Sequence, residues 1–157
     1  MKWHPVPLWD MFIGRYQHTV DPKGRLSIPA RYRDALAQYE GGLIVVPNGQ
    51  ALEVYPYPEW ERLVAAINDQ SRFDAEVRGL GRLYVSRAKE VALDSAGRVL
   101  LPPDTREQAG LAKEVTLVGI GREFFEIWDR ARFVEYERVH GDGIQSGFER
   151  LSQLGVK

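Results

Sequence analysis

The sequence predicts an α+β fold built from two interlocked copies of one unit. The segment Asp21-Pro22-Lys23-Gly24-Arg25-Leu26-Ser27-Ile28-Pro29 matches Asp94-Ser95-Ala96-Gly97-Arg98-Val99-Leu100-Leu101-Pro102 at an offset of 73 residues. The same offset aligns Glu53-Val54-Tyr55 with Glu126-Ile127-Trp128 without a gap, which indicates a repeat. Each copy alternates short strand patterns with amphipathic helix patterns. A unit of this size buries only about 60% of its unfolded surface, so we expect the copies to cover each other's apolar faces in one intertwined domain.

The elements of the first copy follow from local patterns. Residues 15–20 are rich in β-formers, and residues 21–24 carry the Asp, Pro and Gly of a type I turn. Residues 26–28 alternate as a half-buried strand does, and Pro29 fits the first position of a helix over residues 30–40. A hairpin of residues 43–46 and 52–55 follows, and residues 58–69 complete the copy as an amphipathic helix.

The second copy repeats this order, with strands at 90–93, 98–101, 115–118 and 124–128 and helices at 103–109 and 130–139. Apolar residues at helical spacing predict a helical connector between the copies. We therefore expect a first repeat at residues 11–69, a connector at 70–88 and a second repeat at 89–140. Residues 1–10 and 141–157 lack clear periodicity and are expected to be loosely ordered ends.

Composition limits the classes of protein to which the chain can belong. Apolar residues make up 44% of its 157 residues and charged residues 27%, which is typical of a globular chain. No apolar stretch reaches the roughly 18 residues that a membrane-spanning helix needs. Pro5 and Pro7 interrupt the apolar run that a signal peptide requires. The chain has no cysteine, which excludes disulfides and thiolate chemistry and favours a cytoplasmic location.

The charge is unevenly placed, although the net charge is only −1. Residues 15–33 carry five basic residues and one acidic residue, whereas residues 123–149 carry three basic and seven acidic residues. Residues 87–106, which match the basic stretch, have a net charge of only +1. A basic strand-turn-strand with the acidic residues at the far end is typical of a protein that binds a polyanion.

The repeated pattern Asp-x-x-Gly-Arg is the most informative motif. Its Asp can accept backbone N–H groups and fix the turn, and its Gly relieves steric strain there. The pattern therefore presents one guanidinium, that of Arg25 or Arg98, on each turn. An arginine fits a phosphate or the O6/N7 edge of guanine with two hydrogen bonds. The alternative interpretation is an Asp–Arg salt bridge that only closes the turn. Duplication and the surrounding positive charge favour binding.

Other repeated or titratable residues suggest no reaction. Arg33 and Arg106 lie inside predicted helices and favour structural ion pairs, and Glu53 and Glu126 favour structural salt bridges over acid–base chemistry. The three histidines show no metal-ligand spacing: His4, His18 and His140. We find no catalytic constellation. The protein is therefore expected not to be an enzyme and to use no cofactor and no metal.

Residues 11–33, MFIGRYQHTVDPKGRLSIPARYR, closely resemble the start of the MraZ family. The resemblance continues through residues 93–102 and Glu126-Ile127-Trp128, so it covers roughly residues 11–140. It implies a pseudo-two-fold duplicated swapped-hairpin fold, like that of AbrB and SpoVT, with a small β-barrel and flanking helices. It also implies a bacterial transcriptional regulator of the division and cell-wall gene cluster. Such a protein binds repeated promoter boxes upstream of its own operon and assembles into a ring.

The resemblance places the family's Asp-x-x-x-Arg motif on both turns. We expect Arg15, Lys23, Arg25 and Arg98 to contact DNA. Four further residues are expected to shape the turns: Asp21, Gly24, Asp94 and Gly97. The lysine of the first turn is Ala96 in the second, so the two turns need not contribute equally.

The expected partners are double-stranded DNA at the nucleoid and further copies of the chain, with no membrane and no small-molecule substrate. Candidate aromatic anchors for a ring interface are Trp3, Trp9, Tyr55 and Tyr57.

Two alternatives remain. One is an antitoxin-like swapped-hairpin protein that binds DNA and also a toxin. The other is a structural ring or scaffold that assembles without salt-dependent affinity for DNA.

Overall fold

A computed structural model describes residues 5–156 of the chain. The strands are β1 (Arg15–Thr19), β2 (Arg25–Ser27), β3 (Leu43–Pro47), β4 (Leu52–Pro56), β5 (Lys89–Val91), β6 (Arg98–Leu100), β7 (Glu114–Gly119) and β8 (Phe125–Asp129). The helices are α1 (Ala30–Leu36), α2 (Tyr57–Asn68), α3 (Ala75–Leu83), α4 (Pro103–Gln108), α5 (Arg130–His140) and α6 (Gly143–Gln153). Short 3-10 turns lie at Leu8–Asp10 and Val85–Arg87.

The strands of each copy pair with strands of the other copy. Six strands form one antiparallel sheet in the order β1-β7-β8-β4-β3-β5, and β2 and β6 form a separate two-stranded ribbon. The hairpin β1–β2 of the first copy thus binds β7 and β6 of the second, and β5 of the second copy binds β3 of the first. This exchange confirms the predicted duplicated swapped-hairpin α+β fold with flanking helices.

The strand register reveals the pseudo-two-fold axis that relates the copies. In the sheet, Glu53 of β4 lies opposite Glu126 of β8, its equivalent at the 73-residue offset. In the ribbon, Leu26 lies opposite its equivalent Val99. The axis therefore passes through the centre of the sheet and the centre of the ribbon, so the Asp-x-x-Gly-Arg turns lie symmetrically about it.

One apolar core holds both copies together. Leu26 and Val99 point from the ribbon into a cluster that contains residues of both hairpins, among them Val54, Leu117 and Ile127. The Tyr32 ring packs on Phe125 of the other copy with centroids 4.7 Å apart. Burying aliphatic and aromatic side chains of this size stabilises the fold by about 1.5–3 kcal/mol each, so neither copy can separate without exposing core.

Three helices differ from the sequence expectations. Helix α1 ends at Leu36 rather than residue 40, because its buried side chains, Tyr32, Ala35 and Leu36, end there. The connector forms α3, with Asp74 as N-cap, and the 3-10 turn at Val85–Arg87, and it leaves Phe73 outside the helix and 88% exposed.

The C-terminal segment, expected to be loosely ordered, contains helix α6. Apolar residues at helical spacing line one side of that helix: Ile144, Phe148 and Leu151. Its glycines mask the pattern in the sequence. Among the described residues, no helix is long and apolar enough to cross a membrane.

Candidate nucleic-acid interface

The ribbon formed by β2 and β6 presents both motif arginines on one surface. Arg25 lies opposite Leu100, and Ser27 lies opposite Arg98. Because side chains alternate along a strand, these four residues face outward while Leu26 and Val99 face the core. Arg25 and Arg98 are therefore diagonal neighbours, with Cα atoms about 7–8 Å apart. The structure therefore places both arginines on one face of the ribbon, whose two turns lie at opposite ends.

The first turn, Asp21–Arg25, is held by its aspartate. Asp21 Oδ1 accepts hydrogen bonds from the backbone N–H groups of Lys23 (2.9 Å) and Arg25 (2.8 Å). Asp21 Oδ2 accepts a third bond, from Arg25 Nε, at 2.6 Å. The carboxylate therefore fixes both the backbone of the turn and the direction of the arginine side chain.

The second turn, Asp94–Arg98, repeats this geometry. Asp94 Oδ1 accepts from the backbone N–H groups of Ala96 and Arg98, both at 2.9 Å, and Oδ2 accepts from Arg98 Nε at 3.1 Å. The Asp–Arg salt bridge predicted as the alternative thus exists at both turns. However, the side chains of Arg25 and Arg98 remain 37% and 35% exposed. Within residues 5–156 their Nη atoms donate to no protein acceptor, so they are open to a ligand.

The turns lower the pKa of both aspartates. At Asp21 the largest cause is the hydrogen bond from the Arg25 backbone N–H, followed against it by partial desolvation and then by the Arg25 side chain. At Asp94 the Arg98 backbone N–H is again the largest cause. A carboxylate that accepts several N–H groups stays ionised, so each turn keeps its geometry at neutral pH.

Each turn glycine is covered by an arginine of the other copy. Gly24 has φ +89° and Gly97 has φ +76°. A Cβ on Gly24 would lie 2.9 Å from the Leu101 carbonyl oxygen and 3.1 Å from Arg106 Nη2. A Cβ on Gly97 would lie 2.9 Å from Arg33 Cδ. Glycine is required here both for the positive φ and for the close approach of the other copy.

These contacts correct the expectation of ion pairs at Arg33 and Arg106. Arg33 Nε donates to the Ile28 carbonyl oxygen (3.1 Å), and Arg106 Nε donates to the Leu101 carbonyl oxygen (3.2 Å). Neither guanidinium has an acidic partner within 4.0 Å among residues 5–156. The 73-residue repeat marks both positions in the sequence, but only the swapped topology shows which turn each arginine touches.

The two ends of the ribbon differ in charge. Lys23 is exposed on the first turn, whereas the second turn has Ala96 at that position. On the ribbon surface, Ser27 of the first copy corresponds to Leu100 of the second, which is 57% exposed. The positive surface is therefore stronger at the first turn.

Arg15 does not lie with the other predicted contacts. It begins β1, about 20 Å of extended chain away from the first turn. Its Nη1 forms an ion pair with Glu137 of α5, and its guanidinium lies 5.0 Å from the centre of the Phe133 ring. The structure thus gives Arg15 protein partners on α5 rather than a place on the ribbon.

Glu53 and Glu126 form a pair across the pseudo-two-fold axis rather than the predicted salt bridges. Glu53 accepts hydrogen bonds from Asn48 Nδ2 (3.0 Å) and from the Tyr84 hydroxyl, and Glu126 Oε1 accepts from Trp128 Nε1 (3.0 Å). Burial, helped by the nearby Glu53 charge, raises the pKa of Glu126. All of these partners are neutral, and the described residues offer no group of three or more potential metal ligands.

The candidate anchors of a ring interface differ in exposure. Trp9 is 63% exposed and Tyr57 is 43% exposed. Tyr55, in contrast, is buried and stacks on Phe124 with ring centroids 4.8 Å apart, so it is unavailable to a second copy. Trp3 and His4 lie outside the described residues.

Comparison with known proteins agrees with this architecture. The family model described as "MraZ protein, putative antitoxin-like" matches residues 11–83 and again residues 85–153. "Transcriptional regulator MraZ" of Thioalkalivibrio sulfidiphilus (strain HL-EbGR7) is 46% identical over 127 residues, covering 80% of this chain and 84% of that protein. The proteins of the same name from Nitrosospira multiformis and Desulfitobacterium hafniense (strain Y51) are each 40% identical, over 90% and 93% of this chain and 99% and 100% of theirs. The chain belongs to the MraZ family.

Proposed function

We propose that this protein is a sequence-specific DNA-binding transcriptional regulator. The observation that carries the proposal is the ribbon surface, where two aspartate-oriented arginines lie on one face with their Nη atoms open to a ligand. A two-stranded ribbon fits the major groove of B-DNA, and an arginine there can bind guanine O6 and N7 together. The names of the relatives, each a transcriptional regulator, support the same function.

In this proposal Arg25 and Arg98 contact base edges or phosphates in the groove, and Lys23 contacts a phosphate beside the first turn. Asp21, Gly24, Asp94 and Gly97 hold the two turns in shape. A contact from Arg15 would need its ion pair with Glu137 to open, so we assign it a supporting role at most. If about four phosphates are neutralised, log K falls with log salt at a slope of about −3.6.

The proposed target is the set of repeated boxes upstream of the protein's own operon in the division and cell-wall cluster, as the family resemblance implies. One protomer offers few cations, so its affinity is modest. A ring of copies would present several ribbons to several boxes and gain affinity through high effective concentration. Exposed apolar side chains on α6, including Ile144 (74%) and Phe148 (64%), support such assembly. Regulation by occlusion of the promoter, at the nucleoid in the cytoplasm and without catalysis, completes the proposal.

A gel shift with the DNA upstream of the protein's own gene tests the proposal. The wild type is expected to bind it more tightly than a scrambled duplex of equal length, with a salt dependence of the stated slope. The double variant Arg25→Ala/Arg98→Ala is expected to lose this preference while keeping its melting temperature. Equal affinity of the wild type for both duplexes would contradict sequence-specific binding.

The same purified protein and duplexes distinguish the proposed regulator from a structural scaffold and from an antitoxin-like protein. A structural ring or scaffold would assemble but show no salt-dependent DNA affinity. An antitoxin-like protein would bind DNA and also copurify with a second protein when expressed in its own host. Footprinting on the native upstream region then identifies the bound boxes.

A further inference from the structure

Arg33 and Arg106 have no role in the proposed DNA contacts. Each of them nevertheless lies directly against one of the two Asp-x-x-Gly-Arg turns. Arg33 of α1 belongs to the first copy but covers Gly97 in the second turn, with its Nη1 3.0 Å from where a Cβ of Gly97 would be. Arg106 belongs to the second copy but covers Gly24 in the first turn. Both turn glycines are buried, although the residues around them are exposed or half-buried. The same arrangement occurs at both equivalent positions of the 73-residue repeat, so it belongs to the duplicated architecture.

Hydrogen bonds connect each of these arginines to the turn that it covers. Arg33 Nε donates to the Ile28 carbonyl oxygen (3.1 Å), and the Ile28 backbone N–H donates to the Gly97 carbonyl oxygen (3.0 Å). In the other direction, Arg106 Nε donates to the Leu101 carbonyl oxygen (3.2 Å), and the Leu101 backbone N–H donates to the Gly24 carbonyl oxygen (2.9 Å). Each arginine thus binds the carbonyl oxygen of a residue, Ile28 or Leu101, whose backbone N–H in turn binds the glycine of the turn in the other copy.

We propose that Arg33 and Arg106 are positioning residues that act across the two copies: Arg33 orients the turn that carries Arg98, and Arg106 orients the turn that carries Arg25. The inference rests on the proposed function for its effect on DNA, but not for its effect on the turn. A glycine backbone has more freedom than any other residue, so a turn built on one keeps its shape only if its surroundings restrict it. The guanidinium supplies that restriction by packing against the glycine while its Nε binds a carbonyl.

Arg→Lys is the sharpest substitution, because it retains the positive charge and removes the guanidinium plane and the Nε donor. Backbone amide hydrogen exchange measures how often each turn opens, and it does so in the absence of DNA. In Arg33→Lys, the amide of Gly97 is expected to exchange about tenfold faster and that of Gly24 to be unchanged. In Arg106→Lys, the amide of Gly24 is expected to exchange faster and that of Gly97 to be unchanged. Arg31→Lys is the matched control, since Arg31 lies on the same helix, is exposed and forms no hydrogen bond within the described residues.

Double-mutant cycles on DNA affinity test whether each positioning arginine acts on the motif arginine of the other copy. Arg33→Lys is expected to weaken binding of the upstream duplex about fivefold in the wild type and in the Arg25→Ala background. In the Arg98→Ala background the loss is expected to fall below about twofold, because the residue that Arg33 positions is already absent. Arg106→Lys is expected to show the reverse pattern, coupled to Arg25 and independent of Arg98.

The outcomes are distinct. If Arg33→Lys loosens both turns equally or the Gly24 turn alone, or if its effect on DNA is coupled to Arg25, the positioning role is overturned. Equal losses in Arg31→Lys and Arg33→Lys would overturn it as well, since the effect would then not depend on the contact with Gly97. If even the wild type fails to bind the upstream duplex, the proposed function fails, and hydrogen exchange still decides whether each arginine orients the opposite turn.

Discussion

The first and second turns have the same backbone hydrogen bonds. They differ in charge and in how closely the other copy packs against their glycines. Both have Asp, Gly and Arg at equivalent positions, and in both the Asp accepts two backbone N–H groups and one arginine Nε. The Arg25–Asp21 bond is 2.6 Å long and the Arg98–Asp94 bond 3.1 Å, and only the first turn has a lysine. The residues that shape a turn are therefore separable from the residues that add charge to it.

The covering contacts differ as well. Gly24 lies under a backbone carbonyl, that of Leu101, as well as under Arg106, whereas the nearest atoms to Gly97 are all in the Arg33 side chain. A side chain can move away from an added methyl group, but the hydrogen-bonded carbonyl of Leu101 cannot do so without shifting the backbone between β6 and α4. The first turn is therefore both the more basic and the more rigidly enclosed.

The largest expected effect comes from adding a methyl group to each turn glycine. Gly24→Ala is expected to lower the free energy of unfolding by about 3 kcal/mol, because alanine is strained at positive φ and its Cβ meets the Leu101 carbonyl. Gly97→Ala is expected to cost about 1–2 kcal/mol, because Arg33 can move. Urea denaturation measures both, with Gly49→Ala as a control of positive φ with no atom near the added Cβ. Equal losses at Gly24 and Gly97 would contradict the difference in enclosure.

Removing each motif arginine compares the turns in DNA binding. Arg25→Ala is expected to weaken binding of the upstream duplex about tenfold to hundredfold, and Arg98→Ala about tenfold. The first loss is larger because Arg25 is held more closely by its aspartate and acts beside Lys23. Titration by fluorescence anisotropy gives both values, and the melting temperature and oligomer size should stay unchanged. A variant that unfolds instead would support a purely structural salt bridge at that turn.

Exchanging the lysine tests the charge difference on its own. Lys23→Ala is expected to make the salt slope of DNA binding shallower by about 0.9, and Ala96→Lys to make it steeper by about the same amount. Both changes lie on exposed positions and leave the Asp–Arg geometry alone. The Lys23→Ala/Ala96→Lys double variant should return to the wild-type slope. A slope unaffected by either single change would remove both positions from the DNA surface.

The smallest effect concerns the pH dependence of stability. The pKa of Asp21 and of Asp94 is lowered from the ordinary value of 3.8, so their stabilisation is complete above that pH and is lost as the pH falls through the lowered values. Asp21→Asn and Asp94→Asn are each expected to lower the melting temperature slightly at pH 7. The difference from the wild type should shrink below about pH 3.8 and vanish in stronger acid. Thermal melts between pH 2 and pH 7 measure it, and a difference that grows in acid would reverse the assignment.

The duplication, the order of elements within both repeats and the chemistry of the turns follow from the amino-acid sequence alone, whereas helix α6 does not. A fixed offset of 73 residues is visible without coordinates, and Asp, Gly and Arg at fixed spacing define a turn because their interactions are local. The swapped pairing was expected from the size of one copy and from the family resemblance. Local periodicity also located α2, α5 and both β-hairpins within about two residues.

The residues that meet across the two copies are set by the tertiary fold. Arg15 lies in a basic stretch of sequence but binds Glu137, and Glu53 meets Glu126 rather than a cation, because strand register and not sequence distance sets these neighbours. The same reason explains Arg33 and Arg106, whose partners are a turn 64 residues later and a turn 82 residues earlier in the chain. Contacts between distant segments depend on how the hairpins interlock, and no local pattern records that geometry.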